Sequence, residues 1–122
     1  MTTPHIGETV GSLCLQLHQK ANEYAEAAKA RAIAEAEYKA QKAKRVLRAR
    51  AEGEKSISAA QMVAEADDLI KDLHLKYLIA DGMTDALTKS MIALRERIGY
   101  GRSLMANERE ADKLLATSRE IT

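Results

Sequence analysis

"AEAAKARAIAEAEYKAQKAK", residues 25–44, is nearly half alanine, and the residues between the alanines are mostly charged or long and polar. Alanine is the best helix former, so the stretch predicts helix, and what decides the fold is which way its alanines face. A line through Val10, Cys14, Leu17, Ala21, Ala25, Ala28, Ala32, Ala36, Ala40, Ala43, Leu47 and Ala51 advances by three or four residues at each step, the spacing of one helix face. Its middle is all alanine. Read this way, the stripe lets a second helix approach at the lower end of the usual interaxial range of about 8–10 Å.

The second half of the chain supplies a matching line of larger side chains: Met62, Ala66, Leu69, Leu73, Tyr77, Ala80, Thr84, Leu87, Met91, Leu94 and Ile98. Between the two lines lies "AEGEKSISAAQM", residues 51–62. Gly53 suits the left-handed residue that ends a helix. Ser58 with Gln61 reads as a capping box, and Ile57 with Met62 as its hydrophobic staple. At the front, Thr3 caps and Pro4 occupies the first turn, while Gly7 and Gly11 leave the helix firm only from about Ser12. The expected fold is all-α: a single domain over 1–122, forming a long antiparallel helical hairpin of coiled-coil type, with helix one about 4–52, a turn at 53–58 and helix two about 59–116. Gly99 and Gly101 together cost about 2 kcal/mol relative to alanine. Leu104, Met105 and Leu115 nonetheless resume the apolar line without a new cap, so a kinked continuation is expected, the alternative being a short third helix over 102–116.

Charge gives a register. With the turn near residue 55, position i faces roughly position 110 minus i. That puts the basic run Lys39, Lys42, Lys44, Arg45, Arg48 and Arg50 beside Glu65, Asp67, Asp68 and Asp72, brings Glu35 and Glu37 near Lys71 and Lys76, and sets Lys29 and Arg31 near Asp81 and Asp85. Exposed pairs contribute about 0–1 kcal/mol each, so they mark alignment more than stability.

Several apolar residues lie off both lines: Leu13, Tyr24, Ile33 and Val46 in the first helix, Ile70, Leu78, Ile79 and Met83 in the second. Left in water together they exceed what soluble monomers expose, so a homo-oligomer is expected, most simply a dimeric four-helix bundle with Leu13, Tyr24, Ile33, Ile70, Leu78, Ile79 and Met83 at its interface.

The 122 residues carry a formal charge of +1, one cysteine, one proline and no tryptophan or phenylalanine. No whole-molecule field draws in nucleic acid, and no apolar run approaches the roughly 20 residues that span a bilayer. A signal-peptide pattern is also missing from the N-terminus, so the reading is a soluble, cytoplasmic protein with no membrane partner. Cys14 and His18 share a helix face but supply only half of a zinc site, and His5 and His74 have no partners in sequence. The catalytic loops and metal motifs of the common enzyme classes are missing too, so neither an enzyme nor a cofactor is expected. Arg95, Arg102 and Arg109, seven apart, with Arg97 beside them, form a stripe whose hairpin partners offer only Glu8. Arginine suits phosphates or an acidic partner.

Residues 36–109 contain a Tyr-Lys…Lys-Ala-Lys run (38–44), the Glu-Gly-Glu-Lys turn (52–55), a Leu…Tyr…Ala line and a terminal Arg-Ser-Leu…Glu-Arg (102–109). In these features the chain resembles small helical proteins of tailed bacteriophages encoded in early regions with recombination and single-strand DNA-binding functions. The resemblance implies an accessory protein working in the host cytoplasm through a host or phage protein, in DNA recombination, replication or counter-defence. It carries no catalytic residues, and residues 1–13 fall outside it. Direct nucleic-acid binding through Arg95, Arg97, Arg102 and Arg109 and a structural role in the virion are the alternatives.

Overall fold

The computed structural model describes residues 6–121, with side chains as far as residue 119. All of its regular structure is helical: α1 (Ile6–Ala51), α2 (Ile57–Ala66) and α3 (Asp68–Ile121). α1 and α3 pair antiparallel, as a helical hairpin requires. Their contacts fall into two compact units, one of Met1–Asn22 with Thr88–Thr122, the other of Glu23–Leu87. The expected cap at Thr3 and Pro4 lies outside the described residues.

In the Glu23–Leu87 unit the turn begins at Gly53, whose φ of +117 is open to glycine at little cost. The next helix starts two residues earlier than its sequence suggests. Ser56, not Ser58, is the N-cap, its hydroxyl accepting from the Ala59 N–H at 3.0 Å. Ile57 and Met62 both point into water, so there is no hydrophobic staple. A cap is chosen by the backbone, and Ser56 has the extended φ of −112 and ψ of 152 that a capping residue needs. A second break, at Asp67, separates α2 from α3. Its carboxylate accepts from the N–H groups of Leu69 (2.9 Å) and Ile70 (3.4 Å), so Asp67 caps α3.

The buried line of α1 departs from the alanine line. In this unit it runs through Tyr24, Ala27, Ala28, Arg31, Ala34, Glu35, Tyr38, Gln41, Lys42, Arg45, Val46 and Ala49. Tyr24, Arg31, Tyr38 and Arg45 are seven apart, as are Ala28, Glu35, Lys42 and Ala49, which is the heptad repeat of helices wound around each other. Ala25, Ala32, Ala36, Ala40, Ala43 and Ala51 are exposed, and Leu47 is 69% exposed. The close alanine seam is therefore corrected. Stepping from alanine to alanine takes a longer stride than the heptad, so the line has slipped two residues by the turn, roughly 200° around the helix. Tyrosine and the stems of arginine and lysine win the seam because they bury more apolar area than a methyl group, and their charged ends meet carboxylates of the second half of the chain, Arg31 at Asp81, Lys42 at Glu65 and Arg45 at Asp67.

Along α3 the predicted line holds from Leu73 through Tyr77, Ala80, Thr84 and Leu87, all buried or half-buried. Before Leu73 it fails: Met62, Ala66 and Leu69 are exposed, and Ala60, Ala64 and Ile70 are buried instead. A helix restarted at Asp67 does not keep the phase of the one before it.

The other unit holds a cluster of Val10, Leu13, Leu94 and Ile98, with Ile6, Cys14, Leu17 and Met105 packed on it. α3 runs unbroken through Gly99 and Gly101, without a third-helix turn. Gly101 is buried, and a Cβ placed on it would stand 2.6 Å from Cγ2 of Val10. Glycine here lets the two backbones approach, which offsets its poor helix propensity.

Candidate interaction surfaces

The register predicted by charge survives the change of seam. Arg31 pairs with Asp81 at 2.9 Å, Lys42 with Glu65 at 3.3 Å and Arg45 with Asp67 at 3.1 Å. Glu35 instead meets Lys39 one turn along its own helix, at 2.7 Å. Tyr38 stacks on His74, ring centroids 4.6 Å apart, and lies beside Tyr77 at 6.2 Å. Burial works against the charge of Lys42, but Glu65 and the Tyr38 hydroxyl more than offset this and leave its pKa above the ordinary value. Hydrogen bonding to Tyr77, then the charge of Asp81, likewise raises that of Arg31. Apart from the Glu35–Lys39 pair within α1, these side chains fasten α1 to α2, to α3 and to the break at Asp67 between them. They are committed within the fold, and their polar character is what a sequence search for apolar stripes passes over.

Of the residues expected at an oligomer interface, Leu13 and Ile70 are interior, 5% and 3% exposed, and Tyr24 is half-buried on the α1 seam. These three serve the hairpin itself: Leu13 packs in the cluster with Val10, Leu94 and Ile98, Tyr24 lies on the heptad line of α1, and Ile70 turns inward because α3 restarts at Asp67. Ile33, Leu78, Ile79 and Met83 remain outside at 50–59% exposure. On α3 they belong to a stripe of Leu75, Leu78, Ile79, Gly82, Met83 and Ala86, all exposed. At 100° per residue this stripe stands on the side of the helix opposite Leu73, Tyr77, Ala80 and Thr84. α3 thus has two apolar faces here, one folded against α1 and one open. On α1 the displaced alanine line, Ala36, Ala40 and Ala43 between Ile33 and Leu47, forms a flatter outward stripe.

In the unit of Met1–Asn22 and Thr88–Thr122, Arg95, Arg97, Arg102 and Arg109 are all exposed. Arg102 and Arg109 border a shallow groove with Val10 and Met105, whereas Arg97 borders another with Tyr100, Leu104 and Ile6. Arg102 and Arg109 therefore share one flank of the α3 seam, Arg95, seven residues before Arg102, falls on the same side of the helix, and Arg97 stands on the other. None of the four forms a salt bridge among the described residues.

Cys14 is a free, half-buried thiol packed on the apolar cluster, and His18 is exposed. Among the described residues no group of three or more His, Cys, Asp or Glu could hold a metal ion, and no helix is long and apolar enough to cross a membrane. His5 lies outside the described residues. No family model matches the chain, and comparison with curated proteins and with solved structures finds no similar protein.

Proposed function

We propose that this chain is a non-enzymatic interaction protein that works by pairing its outward helix faces with protein partners, a second copy of itself among them. The observation that carries this reading is the second apolar face of α3. Leu75, Leu78, Ile79 and Met83 stay 50–59% exposed on a helix whose opposite face is already packed, and contiguous apolar surface of this kind marks an interaction site. The setting, an early accessory protein of a tailed phage acting in recombination, replication or counter-defence, rests on the sequence resemblance.

The test is capture of partners from infected cells by the wild-type chain and by a Leu78→Lys, Ile79→Lys variant. The reading expects a specific partner to be lost from the variant and kept by an Arg102→Gln, Arg109→Gln variant. Recovery of the same partners by all three would refute it. A second reading has its own support in the exposed arginines without ion pairs: direct binding of nucleic acid through Arg95, Arg102 and Arg109, with Arg97 on the other flank. Phosphate binding weakens steeply with salt, and apolar pairing does not. A gel-shift experiment at low salt that retards no DNA or RNA removes this second reading.

A further inference from the structure

The outer stripe of α3 carries a pattern that selects both its occupant and the direction of approach. Lys71, Leu78 and Asp85 are seven apart and so stand on one edge of the stripe; Asp68, Leu75 and Gly82 are seven apart along its middle; Ile79 and Ala86 lie on the other edge. In an antiparallel pair of identical helices, equivalent positions of the heptad meet across the two-fold axis, one from each side of the centre. Centred next to Leu78, such a pair brings Lys71 alongside Asp85, which also has an interaction within its own chain, on one edge and repeats the contact by symmetry. Leu75 then faces Gly82, and Ile79 meets Ile79.

Gly82 has open space where a Cβ would be, with nothing within 4 Å, so a leucine side chain can seat there. A parallel pair fits worse. It opposes Asp68 to Asp68 and Gly82 to Gly82, which juxtaposes like charges and leaves a void in the middle of the contact.

We infer that the outer stripe of α3 is a self-association surface on which a second copy of this chain docks antiparallel, with Leu75 of each copy over Gly82 of the other and Lys71 facing Asp85. This rests on the reading that outward helix faces associate, and it names one occupant and one register for the α3 face.

The experiment uses the full chain with Cys14→Ser. Sedimentation equilibrium measures association, and mild oxidation reports which introduced cysteines meet. Far-UV circular dichroism confirms that each variant stays helical, as expected at exposed positions. The inference expects a dimer in which Ile79→Cys links to itself, while Leu75→Cys and Gly82→Cys link to each other when mixed and not to themselves. Ile79→Lys should weaken the dimer by about tenfold or more. Lys71→Asp should weaken it too, and adding Asp85→Lys should restore it. A dimer in which 75 links to 75 and 82 to 82, or whose strength is indifferent to Ile79→Lys, overturns the inference and leaves helix pairing by another face standing. A monomer at about 100 μM, well above the micromolar range of ordinary specific complexes, overturns it as well. The broader reading falls with it only if the Leu78→Lys, Ile79→Lys variant also captures partners as the wild type does.

Discussion

Gly99 and Gly101 sit two residues apart in α3, yet only the first should gain stability when replaced with alanine. Both changes gain helix propensity, worth about 1 kcal/mol in a helix interior. At Gly99 nothing lies within 4 Å of the added methyl group, so the gain stands alone and Gly99→Ala should stabilise by about 0.5–1 kcal/mol. At Gly101 the methyl carbon would be 2.6 Å from Val10 Cγ2, well inside contact distance. Valine is stiff at χ1 in a helix and is held in the cluster with Leu13, Leu94 and Ile98, so it cannot swing away cheaply. Overpacking of this kind costs about 1–3 kcal/mol, leaving Gly101→Ala neutral to about 2 kcal/mol destabilised. The two variants should therefore differ by about 1–3 kcal/mol, or roughly 4–12 °C in Tm for a chain of this size. Urea and thermal unfolding, followed by circular dichroism at one protein concentration, read the difference directly. Val10→Ala should relieve the cost of Gly101→Ala, so the double variant should lose less than the two single losses summed. Equal stabilisation by both alanines would refute the close approach of α1 and α3 at Gly101.

The remaining predictions concern the turn and the seam. Ser56→Ala should cost about 1 kcal/mol and Ser58→Ala less than about 0.5 kcal/mol in urea unfolding; the reverse order would return the cap to Ser58. Burial opposes the charge of Asp67, but the Arg45 side chain and the Ile70 and Leu69 amides outweigh it and hold its pKa below the ordinary carboxylate value. A depressed pKa gives stability that is present above the ordinary value of about 4 and lost as pH falls through the lower folded value. Urea midpoints of the wild type should thus fall more steeply below about pH 4 than those of Asp67→Asn, and superimposable profiles would show that the Asp67 cap and ion pair contribute nothing. Ala64→Leu should destabilise by about 1–3 kcal/mol or more by overpacking, whereas Ala40→Leu, on the outward stripe, should lie within about 0.5 kcal/mol of the wild type.

The all-α hairpin, its turn at Gly53 and its register could be read from the sequence because each rests on a local or additive signal. Gly53 is a conformational necessity. The basic run at 39–50 and the acidic residues at 65–72 align however each helix is rotated, and Arg45 with Asp67 and Lys42 with Glu65 realise that alignment. Rotation about the axis of α1 was the harder quantity. Nine alanines in twenty residues offer several overlapping lines, and the one that joins the most alanines is not the one that buries the most area. Arg31, Tyr38, Lys42 and Arg45 belong to the seam through their stems and rings, which a division into apolar and polar residues cannot see. Asp67 was hidden for a related reason: "VAEADDLI", residues 63–70, has no glycine or proline, and its break comes from a carboxylate competing for backbone amides. Of the surface residues singled out from sequence, Ile33, Leu78, Ile79 and Met83 stay outside and the four arginines stay exposed, while Leu13 packs into the cluster with Val10 and Ile70 is drawn in by the new phase of α3 after Asp67.

The hairpin is defined by the rotation of α1, with the heptad line inward and the alanine line outward. Single cysteines introduced one at a time at 36, 40, 43, 49, 60 and 64 in a Cys14→Ser chain, and timed for reaction with a thiol reagent under native conditions, test it most directly. Cysteines replacing Ala36, Ala40 and Ala43 should react as quickly as those in an unfolded chain, and those replacing Ala49, Ala60 and Ala64, each at most 1% exposed, should be slowed by about tenfold or more. Protection at 36, 40 and 43 that persists at protein concentrations too low for self-association, with ready labelling at 49, would contradict the account and restore the alanine seam.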